Sequence, residues 1–195
     1  MRYQLAQAFR FTLLLTVLAG LIYPGVVTAL CQVLFPRPAN GSLLKVDGQI
    51  VGSTLLGQNF SKPEFFHPRP SAAGTDGYDA TVSSGSNLGP TNQKLADRVK
   101  ADIAKFRKEN PNYQGSIPAD MLTTSASGLD PDISPASALA QAGRVAEARG
   151  ITLDHVNQLI NAHTEGRQWG FLGEPRVNVL LLNLDLNKKF PMRKP

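Results

Sequence analysis

The chain has 195 residues, one cysteine and a formal net charge of +5, a length that suits one globular domain plus a small additional segment. Arg2 and Arg10 are the only charged residues before Arg37, so of 20 Lys and Arg, 18 remain from there on to face 15 acidic residues. Such a mixed balance argues against nucleic-acid binding, and a lone Cys31 excludes an internal disulfide framework.

The first element is apolar. Residues 11–35, FTLLLTVLAGLIYPGVVTALCQVLF, carry no charged side chain, and a helix of roughly 20 apolar residues crosses a bilayer core. A cleavable signal peptide is the first rival, but the run exceeds its apolar region of roughly 7–15 residues and no A-x-A site closes it. A lipoprotein signal at Cys31 expects a small preceding residue, and Leu30 is not small. The expectation is an uncleaved span over 11–35, with residues 1–10 held in the cytoplasm by Arg2 and Arg10 and residues 36–195 outside it. Pro24 removes a backbone donor at mid-depth. That implies either a tolerated kink or a helix packed on other membrane helices, where Gly20 and Gly25 allow close approach.

Beyond the span, LLKVDGQIVGSTLL (43–56) holds two short apolar runs around Asp47-Gly48, a hairpin signal because both turn positions favour positive φ. About thirty residues rich in Pro, Gly and Ser follow, a length of loop that usually marks a functional or partner-binding surface. Phe60, Phe65 and Phe66 within it require burial, in the core or in a docking patch. A helix is expected next, capped by Thr91 or Asn92, with Leu95, Val99, Ile103 and Phe106 on one face and an end near Pro111. A second runs from Ala136 to Arg149 and stops at Gly150. A third starts at Thr152, with Leu153, Val156, Leu159 and Ile160 on one side. Residues 177–187, VNVLLLNLDLN, are expected to form a strand buried on both faces. The sum is an α+β fold: one transmembrane helix, then a mixed α/β extracytoplasmic domain.

The stretch TTSASGLDPDISPASA (123–138) concentrates polar groups. As a calcium loop it fails, because Pro135 stands where glycine is required and Gln141 where a bidentate Glu is required. Ser125 and Ser127 lack a G-x-S-x-G frame, and nothing in the spacing pairs them with His67, His155 or His163. GSNLG (85–89) lacks the lysine of a phosphate loop. A helix start accounts for more: Ser134 as N-cap, Pro135 as first helical residue, Asp132 at the positive end of the dipole, and Gly128 reversing the chain before a buried Leu129.

SASGLDPDIS, QAGRVAEARG and GEPRVNVLLLNLDL, with GSTLLGQNFSKPEFFHPRPSA and YDATVSSGSNLGPTN upstream, together resemble the C subunit of the bacterial Kdp potassium-transporting ATPase. The resemblance covers nearly the whole chain, with departures at Asp132, Ser84 and Phe65. It implies a non-catalytic, single-span accessory subunit in the bacterial inner membrane, without a cofactor of its own. The implied partners are a potassium-conducting subunit, a P-type ATPase subunit and a small membrane subunit. It further implies a role in assembly and in raising the ATPase subunit's affinity for ATP, with a nucleotide contact at Gln141. That contact conflicts with an extracytoplasmic domain, since ATP is cytoplasmic. Residues carried as partner-binding or structural signature are Pro24, Gly25, Phe65, Phe66, Arg69, Ser86, Asn87, Ser127, Gly128, Asp130 and Arg144; no metal ligand is implied. The alternatives are a membrane-tethered serine hydrolase using Ser125 or Ser127, and an independent binding module.

Overall fold

The long N-terminal helix starts earlier than the apolar run that drives it. In the computed structural model, which describes residues 1–192, helix α1 (Arg2–Val17) passes through a π-turn (Leu18–Ile22) into α2 (Tyr23–Leu34). The continuous helix of 33 residues is long and apolar enough to cross a membrane; at 1.5 Å per residue it measures about 50 Å. Its π-turn has a local cause. Pro24 brings no N–H and its ring crowds the carbonyl four residues back, at Gly20. The helix widens there, and the Tyr23 N–H donates to the Leu18 carbonyl, five residues back. A side chain built at Gly20 or Gly25 would meet nothing within 4 Å.

The described residues fall into two compact units, one ending at Val51 and one starting at Gly52. In the first, α3 (Pro36–Ala39) follows the long helix; β1 (Leu43–Val46) pairs with β2 (Gln49–Ser53), a strand that starts in the first unit and ends two residues into the second. Asp47 and Gly48 both take positive φ, 51° and 80°, as a two-residue hairpin turn demands.

Among the described residues, the second unit is built on four α-helices and a small antiparallel sheet. Helix α4 (Gln93–Glu109) is capped by the Asn92 side chain, which accepts from the Lys94 N–H. Its expected apolar stripe is only partly covered: Phe106 is buried with Met121 and Ala140, whereas Leu95 and Val99 are half-buried and Ile103 is exposed. Strand β3 (Asp132–Ile133) leads into α5 (Pro135–Arg149), capped by Ser134, which accepts from the Ser137 N–H at 3.1 Å. Gly150 ends α5 in the left-handed region, and Thr152 caps α6 (Leu153–Ala162). Val156, Leu159 and Ile160 are buried as expected, but Leu153 is exposed.

Two expectations are corrected. Residues 177–187 do not form a strand: only β5 (Arg176–Asn178) pairs, with β3 on one side and β4 (Thr164–Glu165) on the other, in the order β3-β5-β4. Val179–Lys189 is helix α7, capped by Asn178, whose side chain accepts from the Leu181 N–H at 3.1 Å. Leucine favours helix over strand, and Val179, Leu182, Asn183 and Leu186 stand at i, i+3, i+4 and i+7, all buried. The unbroken apolar run reflects a helix sunk in the core, not a two-sided strand.

The second correction concerns the carboxylate at the start of α5. Asp132 lies in the sheet, 3.4 Å from the Arg176 guanidinium, where burial raises its pKa against the pull of Arg176. Asp120 serves the helix instead: it accepts from the Ser134 N–H at 2.7 Å, the Ser134 hydroxyl at 3.1 Å and the Ser137 hydroxyl at 2.6 Å. The carboxylate that supports the Ser134 cap is thus supplied across a loop rather than from the adjacent sequence. The main core joins Val145, Val156, Ile160, Val177, Leu182 and Leu186 to Phe66 of the long loop.

Candidate functional site

The long loop has no strand or helix of its own, yet peptide groups in its stretch 63–67 find side-chain partners. Asn183, 1% exposed on α7, accepts from the Phe66 N–H at 2.9 Å and donates to the Phe66 carbonyl at 3.0 Å. Gln141, also 1% exposed, does the same for the next residue. It accepts from the His67 N–H at 2.8 Å and donates to the His67 carbonyl at 3.1 Å. Two side-chain amides therefore stand in for a neighbouring strand, each presenting one donor and one acceptor to the chain.

Arginines extend the clamp. Arg144 Nη1 donates to the carbonyls of Pro63 (2.6 Å) and Phe65 (2.9 Å), its Nη2 to Gln141 Oε1 (2.7 Å), and its Nε to Asn110 (3.1 Å). Burial lowers its pKa to about 10, against the opposing charges of Glu109 and Glu64; it stays cationic at neutral pH. Arg149 Nε reaches the Glu64 carbonyl at 2.7 Å, and its guanidinium lies over the Phe65 ring. Every carbonyl from Pro63 to His67 thus accepts from a side chain of α5 or α7. Phe66 is fully buried as a result, while Phe60 and Phe65 are half-buried and face each other at 5.5 Å.

The signature stretches of the sequence converge beside this clamp. Arg69 pairs with Asp130 at 2.7 Å, each about a quarter exposed. The Tyr78 hydroxyl donates to the Arg69 carbonyl at 2.7 Å, and burial, with help from the Asp130 charge, pushes its pKa up. Ser71 donates to the Gly128 carbonyl and accepts from the N–H groups of Ala73 and Tyr78. Gly128, at φ 69°, could not be another residue: a Cβ would lie 2.6 Å from that of Ala73 and 2.7 Å from the Ser84 carbonyl. The Ser127 carbonyl accepts from Ser83, and Thr124 donates to Ser86. Asn87 is exposed, at φ 49°. Pro24 and Gly25 belong to the other unit.

A cleft of about 360 Å³ opens between the loop, α4 and residues 121–124. Its charged lining comprises Arg69, Arg98 and Lys105 against Asp76, Asp102 and Glu109, with His67 beside them. Such a balance does not select for phosphate. Burial raises the Asp102 pKa, against the opposing charges of Arg98 and Lys105. Glu109 goes the other way: burial raises its pKa, but its hydrogen bond to His67 and the charges of His67, Lys105 and Arg144 outweigh that and hold it low.

The geometry brings no nucleophile and base together at the serines. The Ser125 and Ser127 hydroxyls lie 3.2 Å apart. His67 faces Glu109 at 3.4 Å, His163 faces Asp185 at 2.9 Å, and His155 stacks on Phe190. Among the described residues no group of His, Cys, Asp and Glu is placed to hold a metal.

The model of the family described as "KdpC: K+-transporting ATPase, c chain" matches residues 5–188. The chain belongs to the KdpC family. It is 55% identical to the potassium-transporting ATPase KdpC subunit of Myxococcus xanthus, over 94% of this chain and 87% of that one. The corresponding subunit of Koribacter versatilis is 53% identical over the full length of both chains, and that of Caulobacter vibrioides 57% identical over 91% and 89%. Family membership accounts for the long, ordered motifs, and the structure gives several of them a physical task. Phe65, Phe66, Gln141 and Arg144 form the clamp; Arg69, Gly128 and Asp130 form the loop junction.

Sequence reasoning missed Asn183, Arg149, Tyr78, Ser71 and Asp120. Asn183 had a signal, an amide inside a leucine run, which on a buried helix needs a partner. The others became visible only with the loop in place.

Proposed function

We propose that this KdpC-family chain is a membrane-anchored accessory subunit of a potassium-transporting ATPase, acting by assembly and not by bond chemistry. Helix Arg2–Leu34 spans the membrane once with its N-terminus in the cytoplasm, and the folded unit lies on the extracytoplasmic side. Its partners are the potassium-conducting subunit, the P-type ATPase subunit and a small membrane subunit. The carrying observation is the combination of family membership with a long apolar helix that buries none of its residues within the chain. Arg2 and Arg10 at the N-terminal end support the orientation, and the open faces at Gly20 and Gly25 support packing against other membrane helices.

Gln141 supports a positional role in this reading. Its amide is spent on His67 and Arg144, and it is 1% exposed. An effect on ATP affinity is therefore exerted through the ATPase subunit, and this chain holds no nucleotide of its own. Calorimetric titration of the full chain with ATP into the millimolar range should give no saturable heat; a saturable isotherm abolished by Gln141→Ala would restore the direct contact.

Removal of residues 1–35 is expected to abolish co-purification with the other subunits, and full retention would remove the helix from the docking role. A reporter enzyme fused at the C-terminus is expected to be active only outside the cytoplasm. A cytoplasmic signal would place the folded unit beside the ATP-hydrolysing machinery instead.

A further inference from the structure

Every residue from 165 to 176 is exposed. Beyond the pairing of β4 with β5 the hairpin continues outward and closes at its tip, where the N–H groups of Gln168 and Leu172 each donate to the other residue's carbonyl at 2.9 Å. The tip is apolar: Trp169 is 84% exposed, Phe171 68% and Leu172 43%. Trp169 is the single tryptophan of the chain, held at φ 52°, a conformation costly for a bulky residue. Its ring lies 6.5 Å from that of Phe171. The stem below is neutral, with Arg167 on Glu174 at 2.7 Å and Arg176 on Glu165 at 2.9 Å.

We infer that this tip is a plug that seats in an apolar pocket on another protein subunit of the same transporter. The inference rests on the reading of the chain as a subunit of a larger complex. Three features select a protein pocket. Tryptophan is among the side chains enriched as anchors at the centre of protein interfaces. The cross-bridged turn fixes the backbone that carries the indole before binding, which reduces the entropy lost on seating it in a shaped cavity. The paired stem presents no net charge to desolvate at the pocket's rim.

The same features disfavour other occupants. Taking 150–250 Å² for each aromatic, the tip exposes roughly 400 Å², about half of the ~800 Å² per partner of a stable dimer. A second copy of this chain would need additional surface. Adhesion to an anionic bilayer draws on unpaired Lys and Arg, and both arginines here are neutralised by glutamates.

The test uses the intact, purified complex. With Trp169 replaced by the photoreactive residue benzoylphenylalanine, irradiation should give a covalent adduct to one other subunit, locatable by mass spectrometry. An adduct to lipid alone, to a second copy of this chain, or to no protein while the complex stays assembled would overturn the proposal and leave the assembly role standing. If the wild-type chain itself failed to co-purify, both would fall. A second measurement follows the off-rate during detergent washing of immobilised complex. Trp169→Ser with Phe171→Ser should speed dissociation at least tenfold, with the chain's own thermal unfolding unchanged; wild-type retention of that variant would overturn the plug.

Discussion

Residues 63–67 and residues 165–176 both carry aromatic side chains on backbone with little or no regular pairing, and the fold treats them oppositely. The first stretch is drawn inward, with Asn183, Gln141, Arg144 and Arg149 meeting its peptide groups and Phe66 fully buried. The second is pushed outward on a two-stranded stem with Trp169 and Phe171 in solvent. Aromatic content is therefore not what decides burial here. The deciding factor is whether the surrounding helices offer donors and acceptors for the backbone that must accompany the ring inward. The stretch at 165–176 closes its tip with its own backbone, so its rings are left for a partner.

The sharpest way to break this contrast is at Asn183. Asn183→Leu leaves the N–H and carbonyl of Phe66 buried without partners, at roughly 1–3 kcal/mol for each such group. A loss of about 3 kcal/mol in denaturant unfolding of the full chain in detergent is expected. Gln141→Ala should cost about 2 kcal/mol on the same reasoning, and should open residues 63–70 to limited proteolysis. Unchanged protease resistance would mean that the amide clamp is incidental. Ser134→Ala tests the launch of α5 next to the clamp; loss of this cap should cost about 1 kcal/mol.

Acid sharpens the comparison further, because Glu109 sits against His67 at the end of the clamped stretch. Its folded pKa lies below the ordinary value of 4.5, so between the two values the unfolded chain binds more protons and stability rises with pH. The stabilisation is present above about pH 4.5 and lost as pH falls through the folded value. Glu109→Gln should flatten the acid limb of a stability–pH curve, with protease protection of 63–67 following the same titration. The smallest effect is expected at the projecting tip: Trp169→Ser should change unfolding by less than about 0.5 kcal/mol. A loss as large as that at Asn183 would erase the distinction between the two regions.

Much of the local structure was legible beforehand. The hairpin at Asp47-Gly48, the caps at Asn92, Ser134 and Thr152, the stop at Gly150 and the turn at Gly128 follow from rules that act within a few residues. Helix α7 was misread because an unbroken apolar run has no period to count, and burial on all sides erases the difference between strand and helix. The Asp120 cap and the clamp were not legible, since each joins residues far apart in sequence: Asp120 to Ser134, Gln141 to His67, Asn183 to Phe66.

The sequence by itself determined the apolar helix, the placement of its flanking arginines, the turns and most helix starts, because hydrophobicity, charge and capping act through neighbours. Only the tertiary structure decided that Phe66 goes inside and Trp169 stays out, and that Gln141 holds a backbone. A polar amide's partner is whichever peptide group the fold carries to within hydrogen-bonding distance, and that distance is set by the packing of α5 and α7.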